Sequence, residues 1–164
     1  MTTLAVTFYS VVLWLHITAV VLAFGVTFGF GIYIGVTMAK HPRSIPAILE
    51  AQTLINRTMV SGGALVILAT GIYLAADRWD FGYFFVVWGV VAILVLLGLA
   101  HGFFLPHDRR ALEAAKRDIA ASPGEEVQWS EEFTRESGAS ARMGPIAGLI
   151  VILTIYVMTA KPFL

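Results

Sequence analysis

The chain has 164 residues, of which 58% are hydrophobic and 13% are charged, about half the charged fraction of a soluble domain. Its 11 basic residues balance its 11 acidic residues, so no net charge indicates a nucleic-acid partner. The absence of cysteine excludes disulfides, iron–sulfur clusters and thiolate metal sites. Four histidines and five methionines remain as soft metal ligands.

Long uncharged runs predict four membrane-spanning helices, because about 20 apolar helical residues cross a bilayer core. The spans are expected at about 10–38, 53–76, 81–105 and 143–160. The first run is too long for a simple signal peptide and has no basic segment before it. We therefore expect a single integral membrane domain over residues 1–164. The predicted fold is all-α, a four-helix transmembrane bundle.

The polar loop at about 108–140 predicts a cytoplasmic helical hairpin between helices 3 and 4. Asp108–Ala121 has apolar residues at helical spacing. The segment Ser122–Glu125 has the pattern of a helix start. Ser122 suits the N-cap, Pro123 the first helical position and Glu125 the third. This second helix is expected to run to about Glu136, before Ser137–Ser140 loosens the chain. The hairpin is either a docking surface or a solvated connector.

Basic residues are concentrated on one side of the predicted bundle. Nine of the 11 Lys and Arg residues lie in the first and third loops or at the start of span two. The positive-inside rule places these loops in the cytoplasm and both termini outside. The expected partner is a lipid bilayer, whose anionic headgroups suit Arg43, Arg57, Arg109 and Arg110.

Every predicted span has a face of small residues, which allows helices to pack closely in lipid. Intrachain packing, a cofactor groove and a dimer face are the competing interpretations of these faces. A dimer face implies a homo-oligomer or a place in a larger membrane complex. The small residues are Gly25/Gly29 and Gly31/Gly35 in span one, Ser61–Gly63 and Gly71 in span two, Gly98/Gly102 in span three and Gly144/Gly148 in span four.

His16 is the main candidate for chemistry, because an ionisable group within a span is costly and indicates function. A neutral imidazole can ligate haem or a metal, or relay a proton. The alternative is a structural histidine that forms a hydrogen bond across the bundle to Thr70, Tyr73 or Thr159. The candidate cofactor-binding residues are therefore His16, Thr70 and Tyr73.

His101 is a second, separate candidate for a metal ligand, near the cytoplasmic end of span three. The helical rise places it on the order of 20 Å in depth from His16, so one haem cannot bridge both residues. His101 is otherwise expected to face lipid headgroups or Arg57. No Asp or Glu lies within a predicted span, which disfavours a carboxylate-driven transporter.

The chain resembles the DUF2269 family of predicted bacterial integral membrane proteins over nearly its whole length. The resemblance is carried by short motifs in a fixed order, which are Leu15-His16-Ile17 with Gly25, Thr70-Gly71-Ile72-Tyr73-Leu74, Trp79-Asp80-Phe81-Gly82 before Trp88, Pro106 with Arg109-Arg110, and Met158-Thr159-Ala160-Lys161-Pro162. That family is itself similar to the CopD-like group of four- and eight-helix membrane proteins. The resemblance implies a location in the bacterial cytoplasmic (inner) membrane.

The CopD-like group includes copper-resistance proteins and a haem b protoporphyrinogen oxidase, in which a first-helix histidine is implicated in haem binding. The resemblance therefore implies haem b or copper as the cofactor and a haem- or metal-linked redox role for His16. A non-catalytic accessory or structural subunit of a larger membrane complex is the alternative. Transport of a small molecule or metal is the third hypothesis.

Overall fold

Four long helices form the structure, a computed structural model that describes residues 7–124 and 126–163. Within these residues, four helices are long and apolar enough to cross a membrane, namely α1 (Phe8–Lys40), α2 (Pro42–Arg78), α3 (Phe84–Ala121) and α4 (Glu131–Ala160). The prediction of an all-α transmembrane bundle is confirmed. The helices are longer than the predicted spans because their polar ends continue the same helices beyond the apolar runs.

Three of the helices change their winding along their length. Helix α1 contains a 3-10 turn at Val26–Gly29, α2 a π turn at Asn56–Val60 and α3 a π turn at Ala100–Phe104. The hydroxyl of Ser61 donates to the Asn56 carbonyl, at 2.9 Å. The same carbonyl also accepts the Ser61 backbone N–H, so the hydroxyl adds a second hydrogen bond at the end of the π turn.

The prediction of a separate second hairpin helix that begins at Ser122 is wrong. Ser122 ends α3, and its hydroxyl donates to the Asp118 carbonyl at 2.9 Å. Helix α4 begins after Ser130, whose side chain caps the Phe133 amide at 3.2 Å. Two glutamates in the first turn of α4 favour this start because they face the positive end of the helix dipole. Glu125 lies outside the described residues.

The predicted loosening of the chain at Ser137–Ser140 is also wrong, since this segment is helical within α4. The Ser137 hydroxyl donates to the Phe133 carbonyl one turn earlier, at 2.7 Å. The Ser140 hydroxyl donates to the Asp108 carboxylate on α3, also at 2.7 Å. Because both hydroxyls are satisfied, the serines do not compete with the helical backbone. The two arms of the hairpin are thus direct extensions of α3 and α4.

The core consists of three clusters along the bundle. The central cluster joins all four helices and includes Ala23, Ala64, Ile93 and Val151. A cluster near the chain termini surrounds Phe85. The third cluster lies at the hairpin and includes Ile45, Leu49, Ala111, Ala114, Ala115 and Phe133. We call the end near Phe8 and Ala160 the terminal end, and the opposite end the hairpin end.

Charged residues on α2 mark the thickness of the apolar layer. Asp77 and Arg57 are 20 residues apart, about 30 Å of helix and equal to a typical hydrocarbon core. At the terminal end, Tyr9 of α1 lies level with Arg78, whose guanidinium carbon is 4.0 Å from the ring centre. Twenty residues of α1 counted from Tyr9 end near Phe28, so Phe30–Lys40 lies level with the part of α2 that precedes Arg57. We call this segment the α1 arm.

Only some of the predicted small-residue faces contact a neighbouring helix. A Cβ atom at Gly63 would lie 2.5 Å from the Ala23 Cβ, and one at Gly148 would lie 3.2 Å from the Phe28 ring. At Gly71 a Cβ atom would lie 3.2 Å from the His16 ring on α1, and at Gly29 it would meet Tyr33 of the same helix at 2.9 Å. Open space surrounds the Cβ position of seven other glycines of the group, which are Gly25, Gly31, Gly35, Gly62, Gly98, Gly102 and Gly144. Close packing is thus concentrated where α1 crosses α2.

We predict that Gly63→Ala lowers the thermal unfolding midpoint of the protein in detergent. The added methyl meets Ala23 at 2.5 Å, and overpacking of this kind costs about 1–3 kcal/mol. Gly62→Ala is the matched control, because its methyl would enter open space and alanine has the higher helix propensity. Equal midpoints for the two variants would contradict the close contact between α1 and α2.

Candidate functional site

His16 lies on the face of α1 that packs against α2, in the half of the bundle near the terminal end. Its Nδ1 atom is 2.8 Å from the Thr70 Oγ1. The Thr70 hydroxyl also lies within hydrogen-bond distance of the Val66 and Ile67 carbonyls, at 2.6 and 3.2 Å. When it donates to one of these carbonyls, it accepts the bond from the His16 Nδ1–H and the imidazole lone pair is on Nε2.

Gly71 provides the space for the imidazole. A Cβ atom at this position would lie 3.2 Å from the His16 Cε1. Because Thr70 and Gly71 are adjacent, α2 offers the ring a hydrogen-bond acceptor and a gap side by side. The motif Thr70-Gly71 in the sequence thus has a direct structural role in orienting His16.

A cavity of about 440 Å³ lies beside His16, and all four helices contribute to its walls. Most of its lining is apolar, for example Leu13, Phe24, Ile93, Val151 and Ile155. Thr154 is one of the few polar residues in the wall, and its hydroxyl accepts a bond from Trp88 Nε1 at 3.1 Å. The cavity is suited to a largely apolar ligand that a few polar groups orient.

Cationic and aromatic side chains surround the terminal end of this cavity. Lys161 and Trp79 both line it, and the Lys161 Nζ lies 3.9 Å from the centre of the Trp79 ring. Lys161 takes a left-handed backbone conformation with φ of 44° as the C-cap of α4, and this directs the chain end over the bundle. Arg78 lies over Tyr9, another lining residue. Lys161 is therefore the cation in the cavity wall, whereas Arg78 nearby pairs with the Asp77 carboxylate at 3.7 Å.

The other sequence candidates lie elsewhere. Tyr73 packs edge-to-face against Phe8 at 5.3 Å between ring centres and is not part of the cavity wall. The His101 Nε2 is 3.0 Å from the Ser61 hydroxyl at the hairpin end. Ser61 and Gly71 are ten residues apart on α2, about 15 Å of helix. The structure thus brings Thr70 to His16 but keeps Tyr73 and His101 apart from it.

Two buried carboxylates at the hairpin end were not expected from the sequence. Asp108 on α3 is 1% exposed and accepts hydrogen bonds from Gln52 Nε2 at 3.1 Å and from the Ser140 hydroxyl at 2.7 Å. Glu136 on α4 is 3% exposed, and His107 Nδ1 lies 2.7 Å from its carboxylate. These bonds join α2, α3 and α4 outside the apolar layer.

Because charged residues are frequent in this region, the sequence indicated either a docking surface or a solvated connector there. A signal was nevertheless present, since Asp108, Ala111 and Ala115 have the spacing of one helix face. All three are almost fully buried. When small apolar residues share a helix face with an acidic residue, the pattern indicates that this face, including the carboxylate, packs against another helix.

Among the residues that the structure describes, no group of three or more His, Asp or Glu side chains could hold a metal ion. No protein-family model matches the chain, and no curated protein or solved structure shows significant similarity to it. The geometry of the His16 cavity and the pattern of the sequence are therefore the basis for a functional proposal.

We predict that Ser140→Ala lowers the thermal unfolding midpoint in detergent by removing a donor to the buried Asp108 carboxylate. A buried acceptor that loses its partner costs about 1–3 kcal/mol. Ser137→Ala on the same helix is the control, because its hydroxyl donates within α4 to the Phe133 carbonyl. If both variants unfold at the same temperature, the Asp108 network does not contribute to the stability of the hairpin end.

Proposed function

We propose that the protein is a redox-linked membrane protein that binds haem b in the cavity beside His16, with the imidazole as an axial ligand. The cavity of about 440 Å³ that His16 lines, with walls from all four helices, carries the proposal. The hydrogen bond between Nδ1 and Thr70, at 2.8 Å, is also what a structural histidine would form, and here it orients the ring. Histidines that ligate metals characteristically donate their second ring N–H in this way, which fixes the ring and its tautomer. Bound haem would supply one-electron redox chemistry, and the protein would hold and orient it.

The residues around the cavity fit this group. Its volume of about 440 Å³ lies within the range of about 300–1,000 Å³ of small-molecule sites, and its apolar walls suit a porphyrin. Met158 lines the same cavity, and its thioether could help to hold the iron. Lys161 in the cavity wall suits a propionate carboxylate, because charge-assisted pairs of this type are strong.

A copper ion is less well supported as the cofactor. A bare ion needs several ligating side chains that converge on one point. His16 and Met158 are the soft ligands in the cavity wall, and the described residues contain no larger group of His, Asp or Glu. The volume and apolar lining of the cavity favour a large apolar ligand over an ion.

We also propose that the chain is related to the DUF2269 family and, through it, to the CopD-like group. The location that follows is the bacterial cytoplasmic membrane, with both termini outside. The ordered motifs support the relationship. The orientation is supported by the basic residues, nine of which out of 11 belong to the hairpin end.

The haem proposal predicts that purified protein supplemented with haem shows a Soret band in its visible spectrum. His16→Leu is expected to abolish the band, because the ligand nitrogen is lost. Thr70→Val is expected to weaken haem binding by about 10–100-fold, because the hydrogen bond that orients the imidazole is removed.

The control for this experiment is His101→Leu, which removes a histidine about 15 Å away along the bundle. This variant is expected to retain the spectrum of the unsubstituted protein. A protein that shows no Soret band after haem supplementation, and binds no copper, would remove the redox proposal. An equal loss in the two histidine variants would remove His16 as the specific ligand.

A second role is supported by the α1 arm, namely that of a non-catalytic subunit that associates with another copy of itself. Ile32, Tyr33 and Val36 on the arm are 70%, 60% and 50% exposed, and a hydrocarbon core of about 30 Å that begins level with Tyr9 would end before the arm. Exposed apolar patches of this kind indicate an interaction surface. Gly31 and Gly35 on the arm have open space around them, which permits close approach of a second helix.

A second copy suits this surface because two parallel chains in one membrane present their arms at the same depth. The arm has Lys40 as its single charged residue, at its last position, so two identical apolar faces can meet without repulsion. A two-fold axis would then bring each residue of the face near its own counterpart.

The chain has no cysteine, so a single introduced cysteine can report this association. Val36→Cys is expected to form a disulfide-linked dimer when membranes are oxidised, because identical residues meet at the axis. Leu65→Cys, at a 64% exposed position within the apolar layer, serves as the control and is expected to stay monomeric. Self-association through the arm is contradicted if neither variant cross-links, or if both do so equally.

A further inference from the structure

A groove of about 500 Å³ lies on the surface of the hairpin end, between α2 and α3. It is separate from the His16 cavity, and it shares no lining residue with it. Residues from two turns of α2 form one side, and Leu112 of α3 forms the other. The lining residues are Glu50, Thr53, Leu54, Arg57, Thr58 and Leu112.

The groove lies at the boundary of the apolar layer. Arg57 is 20 residues from Asp77 on the same helix, about 30 Å along the axis. This distance equals the thickness of the hydrocarbon core, so the guanidinium lies at the depth of the lipid headgroups. Leu54 beside it is 62% exposed and gives the groove an apolar surface next to its cation.

Arg57 gives the groove a positive charge. Arg57 is exposed, and no hydrogen bond or ion pair joins its side chain to the residues that the structure describes. Glu50, the acidic lining residue, is neutralised by Lys116 at 2.5 Å. An anion that enters the groove therefore meets Arg57 with its charge available.

Two threonines of the groove lie close to Arg57 along α2. Thr53 is one turn before it, and Thr58 is the next residue. The Thr53 Oγ1 is buried and has no hydrogen-bond partner among the described residues. Threonine in a helix uses two χ1 rotamers, so a rotation can present this hydroxyl to a ligand in the groove. Thr58 donates to the Leu54 carbonyl at 2.7 Å, and its oxygen retains lone pairs that can accept a bond.

We propose that this groove binds the headgroup of an anionic phospholipid, with the phosphodiester on Arg57 and the headgroup hydroxyls near Thr53 and Thr58. Basic pockets between membrane helices recognise phospholipid headgroups through this combination of charge and hydroxyl bonding. The acyl chains run from Arg57 along α2 into the apolar layer. The site is independent of haem, since it lies at the opposite end of the bundle.

The test is native mass spectrometry of the full-length protein titrated separately with phosphatidylglycerol, phosphatidylcholine and inorganic phosphate. Phosphatidylglycerol is expected to bind about tenfold more tightly than phosphatidylcholine. Arg57→Gln is expected to reduce this preference, because the loss of the cation removes its attraction for a headgroup with a net negative charge over one whose phosphate is offset by choline. Arg142→Gln is the matched control, since Arg142 is also exposed at the hairpin end but lies outside the groove.

Equal binding of both lipids, or an equal effect of the two arginine variants, would overturn the proposal. Inorganic phosphate that binds as tightly as phosphatidylglycerol would overturn the lipid as the source of the phosphate. Thr53→Val tests the site without a change of charge, and the fold tolerates it because the hydroxyl has no partner. This variant is expected to weaken phosphatidylglycerol binding several-fold, and unchanged binding would overturn the assigned role of Thr53.

Discussion

The contact between α1 and α2 is the interaction on which the rest of the structure depends. Lipid provides little hydrophobic gain when apolar helices associate, so close approach of their backbones must replace it. Ala23 lies against Gly63, where a side chain would not fit. His16 and Thr70 are each seven residues, or about two turns, from this contact. The crossing of the helices thus places the imidazole against its acceptor.

Polar groups are treated differently at the two ends of the bundle. At the hairpin end, buried Asp108 and Glu136 have several hydrogen-bond partners and join three helices. Near the terminal end, His16 is hydrogen-bonded to Thr70 and lines an apolar cavity. The carboxylate network stabilises the hairpin, whereas the imidazole borders the cavity that we propose as the cofactor site. The hairpin is therefore a packed structure with its own core, not a solvated connector.

The proposed activities use separate parts of the molecule. The His16 cavity would hold the cofactor, the groove at Arg57 would hold a phospholipid, and the α1 arm would join two copies. The groove and the arm both lie at the hairpin end, about 30 Å or less from one another given the bundle dimensions. Lipid binding and self-association are thus independent of haem binding in their contacts, although all three depend on the same four helices.

The amino-acid sequence by itself determined the four spans, because uncharged runs of sufficient length depend only on local composition. It also identified His16 and placed Thr70 among its possible partners. The sequence did not predict that the helix after the hairpin turn begins after Ser130 instead of at Ser122. Both serines are suited to cap a helix, and the choice between them depends on whether α3 continues as far as Ser122. Short-range patterns could not separate these alternatives.

Only the tertiary structure decided which polar and small residues are used. Gln52 and Asp108 are 56 residues apart, and no local pattern indicates that they meet. The same holds for Gly63, which packs closely while its neighbour Gly62 lies in open space. Helix formation responds to neighbours within a few residues, whereas a cavity or a buried carboxylate requires partners from several helices. The medium and the helices were therefore determined by the sequence, and the sites by the way the helices pack.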